Sequence, residues 1–157
     1  MKFKYDENWT RAEWNAAITT PKFKYATFLE IGEGIAIRLF YAADGGQRLE
    51  FVTRTSQTTY TVSSAFSFAN NSSNNGWQTL VFTYSKTNMV SKIYINGVET
   101  GTANILPNGS SLNIDYVGAN QNINIGNGDR IGHNFQGNLD NLAFYSGVLT
   151  SAEISAL

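Results

Sequence analysis

The sequence contains no cysteine, which excludes disulfides and thiolate metal sites. Histidine occurs once, so any histidine-based chemistry would have to use His133. Charge is sparse: 15% of residues are Asp, Glu, Lys or Arg, against about a quarter in an average domain. The 11 basic and 12 acidic side chains leave a net charge of −1. That balance lacks the basic footprint of a nucleic-acid or anionic-membrane binder. No apolar run approaches the ~18 residues of a membrane span. The opening MKFKYDEN is charged and aromatic and leads into no apolar stretch, so it is not expected to act as a signal peptide. On that reading the chain either works without secretion or is a domain of a larger extracellular or virion-associated protein.

What remains is a chain of 157 residues with 42% hydrophobic and 13% aromatic content. That supplies a core without covalent staples and fits one domain over residues 1–157. Polarity comes from amides and hydroxyls, with Asn alone occurring 18 times.

The dominant pattern is alternation. Ile35, Ile37, Leu39 and Tyr41 alternate with Ala36, Arg38 and Phe40. Leu49, Phe51 and Thr53 alternate with Glu50, Val52 and Arg54. Trp77 to Tyr84, Lys92 to Ile95, Ile123 to Ile125 and Leu139 to Tyr145 behave alike. Runs rich in β-branched and aromatic residues, bounded by Gly, Asn and Ser, read as strands. Asn96-Gly97 fits a two-residue hairpin turn, and Ala43 to Gly46 fits a second hairpin. NNSSNNG, from Asn70 to Gly76, reads as a polar surface loop. KFKY occurs at Lys2–Tyr5 and again at Lys22–Tyr25; alternating lysine and aromatic residues suggest edge strands. Asn8 to Ile18 carries both a strand-like alternation and a Thr10…Glu13 capping signal. Thr150-Ser-Ala-Glu153 is a capping box with room for one helical turn. The fold class is therefore all-β: a two-sheet antiparallel sandwich, or jelly roll, with a short C-terminal helical turn.

Five segments now come together in order: WQTLVFTY from Trp77, KIYINGV from Lys92, INIG from Ile123, FQGNLDNLAFY from Phe135, and LTSAEI from Leu149. This succession resembles the laminin-G-like, concanavalin A-like lectin/glucanase superfamily. Trp14-Asn-Ala-Ala-Ile18 looks like that family's tryptophan-bearing strand, which favours strand for this segment. Phe3-Lys-Tyr-Asp6 stands loosely where the family's opening strand lies. The resemblance implies a jelly roll. It does not fix a function, because that fold hosts lectins, glycosidases, adhesion modules and structural proteins.

A retaining glycosidase needs two carboxyl groups about 5–5.5 Å apart. On a strand such pairs sit two or four residues apart, as in the family's E-x-D-x-E pattern. No pair of glutamates has that spacing here, and Glu30 and Glu33 straddle Gly32. No serine lies in a nucleophile elbow, and no phosphate-binding loop is present. The expectation is a non-catalytic module. It would recognise a glycan or a surface partner. The rival is a structural role in a phage particle, as decoration or fibre, and a glycoside hydrolase comes third.

Sugar recognition uses exposed aromatic faces beside amides and hydroxyls. Phe28, Phe51, Phe82 and Phe144 stand in apolar alternations and are assigned to packing, as is Trp77 at the head of its strand. Trp9, Tyr41, Tyr60 and Tyr116 stand in polar or loop contexts and are the candidate ligand-binding aromatics, with Asn120, His133 and Asn134 as polar partners. Asp140 shares phase with Leu142 and Phe144 on a face expected to be buried. A buried carboxylate must be paired, hydrogen-bonded or metal-bound. Two readings of Asp140 stand open: it accepts backbone amides at a strand end, or, as the resemblance implies, it holds one structural calcium with Asp6 as a second ligand.

Overall fold

A computed structural model describes residues 1–5, 25–32, 35–41, 47–54, 59–65, 77–85, 87–88, 90–104, 122–127, 135 and 137–157. Among the described residues ten strands run in chain order: β1 (Lys2–Tyr5), β2 (Tyr25–Ile31), β3 (Ile35–Tyr41), β4 (Gln47–Arg54), β5 (Thr59–Ala65), β6 (Gln78–Ser85), β7 (Val90–Ile95), β8 (Val98–Asn104), β9 (Ile123–Ile125) and β10 (Gly137–Asp140). The helix described, α1 (Ser151–Ser155), follows.

The strands form two antiparallel sheets of five, ordered β10-β1-β6-β7-β8 and β5-β4-β3-β2-β9. Alternation explains the sandwich. Ile37 and Leu39 of β3 stand opposite Phe51 and Leu49 of β4, and all four are buried. They face Phe3, Leu80 and Ile93 from the other sheet in one apolar cluster. Phe3, Phe28 and Phe135 form its aromatic centre, with ring centroids 4.5 to 6.2 Å apart. A bulge between Thr27 and Leu29 breaks the strict alternation of β2, so that consecutive Phe28 and Leu29 both enter the core.

The local signals of the C-terminal half are realised. Asn96 and Gly97 have φ of 51° and 80°, as a type I′ turn requires, and the turn joins β7 to β8. Asn96 also clamps the turn to β6: its backbone amide donates to Thr79 O and its Oδ1 accepts from Thr79 N. The capping box of α1 is complete. Glu153 N donates to Thr150 Oγ1, and Thr150 N donates to Glu153 Oε2 at 2.7 Å. The helix buries Ile154 against Val81 and Tyr94 on the outer face of the first sheet.

Two expectations are corrected. The first KFKY segment is not an edge strand: β1 lies between β10 and β6. Its alternation separates a core side chain, Phe3, from lysine on the opposite face. The strand expected over Leu139–Tyr145 stops at Asp140. Asn141 adopts φ of 51°, a left-handed conformation that ends pairing, and the chain then runs irregularly to Thr150. The segments Asn8–Ile18 and Asn70–Gly76 lie outside the described residues.

Candidate carbohydrate-binding face

The outer face of the second sheet mixes polar and apolar side chains, with Ala36 opposite Val52 and both buried. Cross-strand partners share a face, so the register collects Tyr25 and Thr27 of β2, Arg38 and Phe40 of β3, and Arg48 and Glu50 of β4 on the side away from the core. Thr27 and Glu50 are buried, Tyr25, Arg38 and Phe40 are half-buried, and Arg48 is exposed. Arg38 is the centre of this cluster. Its Nε donates to Glu50 Oε2 at 2.9 Å, and its guanidinium carbon lies 3.9 Å from the centroid of the Tyr25 ring. The side chains of Arg38 and Glu50 are 16% and 11% exposed, so the pair is held in a largely dehydrated setting. Tyr25 leans on Phe40, with ring centroids 5.3 Å apart. The result is a cation fixed by a carboxylate and an aromatic plane. Such an assembly presents directed N–H donors beside apolar ring surface.

The described carboxylates are dispersed over separate elements. Glu50 is tied to Arg38, Glu99 of β8 to Lys92 and Thr102, and Glu153 to the Thr150 amide. Glu30 on β2 is separated from Glu50 by the whole of β3, which at ~4.8 Å per strand places their backbones about 10 Å apart or more. The Lys92–Glu99 contact at 2.8 Å shifts both groups. Its hydrogen bond holds Glu99 below the usual carboxylate value and Lys92 above the usual amine value.

Among the residues expected to bind ligand, Tyr41 and Tyr60 lie in described strands. Tyr41 stands opposite Gln47 and Tyr60 opposite Thr53, six positions apart along β4, which at ~3.3 Å per residue separates them by about 20 Å. The fold does not bring these two together. Trp9, Tyr116, Asn120, His133, Asn134 and Asp6 lie outside the described residues.

Asp140 is corrected from buried to exposed. Its Oδ1 accepts from the backbone amide of Asn141 at 2.8 Å, a strand-end contact at the residue where β10 stops. Among the described residues no three acidic or histidine side chains converge on one point. Phe144, assigned to packing, is 61% exposed, and Trp77 is 47% exposed, because the strand phase that would have buried Phe144 ends at Asp140 and Trp77 precedes the first residue of β6. Phe28 and Phe51 are core residues as expected, and Phe82 packs against the core.

Tyr25, Arg38 and Glu50 were not among the expected ligand residues, yet a signal for them existed. The hairpin expected over residues 43–46 lies outside the described residues, but Arg38 of β3 pairs with Glu50 of β4, and both lie out of phase with the apolar residues of their strands.

Comparison with known proteins agrees with this architecture. A family model described as the concanavalin A-like lectin/glucanases superfamily matches residues 2–155. A solved structure, Ruminococcus gnavus IT-sialidase CBM40, superposes with a TM-score of 0.61 at 19% identity, covering 99% of this chain and 78% of that one. A second, an S-layer domain-containing protein from Clostridium thermocellum, gives a TM-score of 0.42 at 19% identity, covering 87% of this chain and 64% of that one. No curated protein matches.

Proposed function

The chain belongs to the concanavalin A-like lectin/glucanase superfamily, and from that premise we propose that it is a non-catalytic carbohydrate-binding domain. The observation that carries the reading is the Arg38–Glu50–Tyr25 cluster on the outer face of the second sheet. Glu50 engages Nε of Arg38, and with no bond to the two Nη groups among the described residues these would donate to hydroxyl or carboxylate oxygens of a sugar. Tyr25 and Phe40 supply ring surface for the apolar faces of the pyranose. A lectin site works by such a combination of aromatic surface and a few fixed polar groups. The dispersion of the described carboxylates over separate strands and the helix supports recognition without bond cleavage. The similarity to a sialidase carbohydrate-binding module is consistent with this reading at the level of fold. Among the described residues no helix is long and apolar enough to cross a membrane.

The test is a glycan array, run once with calcium and once with chelator. The expected result is selective binding that Tyr25→Ala and Arg38→Lys weaken at least tenfold while circular dichroism stays unchanged. Loss of signal in chelator would assign a calcium to the site. An empty array from folded protein, or binding indifferent to both substitutions, would overturn the assignment to this face.

A further inference from the structure

Asn96 is tied to β6 through its backbone and both ends of its side chain. Its amide donates to Thr79 O at 2.8 Å, its Oδ1 accepts from Thr79 N at 2.9 Å, and its Nδ2 donates to Gln78 Oε1. The next residue is Gly97, which sits against α1: a Cβ there would lie 3.3 Å from Cα of Ser155. These contacts all belong to the first sheet and its helix, whereas the Arg38 cluster lies on the second sheet.

An asparagine followed by glycine carries an intrinsic reaction, one source of the thermal lability of asparagine. The glycine nitrogen gives its proton to a solvent base and adds to Cγ of the asparagine. Nδ2 takes a proton from water and leaves as ammonia, and a five-membered succinimide closes. Water then opens the ring at one carbonyl or the other, which gives aspartate or isoaspartate. No atom changes oxidation state. Glycine is the most permissive successor, because no side chain restricts its backbone or crowds its nitrogen.

The fold sets the reacting atoms apart. Asn96 has φ of 51°. Its type I′ turn fixes ψ at about +30°, and tetrahedral geometry at Cα then turns Cβ about 150° from the Gly97 nitrogen around the Cα–C bond. The two are nearly anti, whereas ring closure needs them nearly eclipsed. Reaching that arrangement takes Asn96 out of the turn and swings its carboxamide off Gln78 and Thr79.

We propose that Asn96 is a latent deamidation site, held closed by the β7–β8 turn and its clamp to β6, and converted only when the hairpin tip lifts from β6. Such local opening is a property of exposed turns, and it sets the rate of any chemistry that the closed state forbids. The main product disrupts the site that formed it. Isoaspartate adds one methylene to the main chain, which a two-residue turn has no room for. Gly97 then leaves its seat against Ser155, and α1 loosens with it.

The intact chain and a synthetic peptide spanning Ile93 to Glu99 are aged side by side in mildly alkaline buffer. Conversion at Asn96 is followed by peptide mapping with mass spectrometry, and the peptide supplies the unconstrained rate. Folded Asn96 is expected to convert at least tenfold more slowly. Gln78→Ala removes the acceptor of Nδ2 and is expected to raise the folded rate at least twofold, with circular dichroism unchanged. Isoaspartyl protein, made by ageing the chain in urea and refolding it, is expected to show faster amide exchange in α1 than unconverted protein. Conversion of folded Asn96 at the peptide's rate would overturn the proposal. So would a folded rate indifferent to Gln78→Ala, or equal exchange in α1 before and after conversion.

Discussion

Arg38 and Glu50 stand directly opposite each other on β3 and β4, with Nε 2.9 Å from Oε2 and neither side chain more than 16% exposed. Their contact lies on the non-core face, so the pair is held by its own geometry and by the Tyr25 ring rather than by the apolar cluster. Glu50→Ala leaves a guanidinium in a largely dehydrated setting without its carboxylate. The expected loss is about 2–3 kcal/mol, measured by urea denaturation. The double variant Arg38→Met, Glu50→Leu is expected to recover part of that loss, since it leaves no unpaired charge.

Phe28 and Phe144 differ in burial, 0% against 61% exposed, although both belong to apolar strand patterns. Phe28→Ala is expected to cost about 3–5 kcal/mol, because it removes a ring contacting both Phe3 and Phe135 and leaves a cavity. Phe144→Ala is expected to change stability by less than about 0.5 kcal/mol. Thermal melts of the two variants check the contrast.

Gly97 has φ of +80°, and a Cβ at this position would lie 3.3 Å from the Cα of Ser155 in α1. Gly97→Ala therefore strains the turn and presses on the helix at once. The left-handed conformation alone costs about 1–2 kcal/mol for an L side chain. The expected signature is a stability loss of at least that size, with faster amide exchange in both the β7–β8 hairpin and α1.

Hydrogen bonds from the Thr150 backbone and side chain hold Glu153 below the usual carboxylate value of 4.5, and those from Lys92 and Thr102 do the same for Glu99. A depressed native pKa gives stability that is present above 4.5 and lost as pH falls through the native value. Lys92 is raised above 10.5 chiefly by its bond to Glu99, so its contribution is present below 10.5 and fades as pH rises through the native value. Amide exchange at α1 is expected to quicken below pH 4.5. Thr150→Ala is expected to reduce that acid sensitivity, leaving the part that the Thr150 backbone amide carries, and to cost about 1 kcal/mol by loss of the cap.

The sequence alone determined the features that depend on neighbours along the chain. Asn96-Gly97 dictated a turn because those residues tolerate positive φ, and Thr150…Glu153 dictated a cap because a helix start leaves amides unsatisfied. Alternation in Ile35–Tyr41 and Leu49–Thr53 dictated strands with one apolar face, and five ordered segments dictated the superfamily. The same alternation put Arg38 and Glu50 out of phase with the apolar residues of their strands. Tertiary structure decided the rest. Asp140, Leu142 and Phe144 share a phase in the sequence, but phase buries a residue only while the strand continues, and a left-handed Asn141 ends it. KFKY cannot say whether its strand is an edge, because neighbours β10 and β6 arrive from far along the chain.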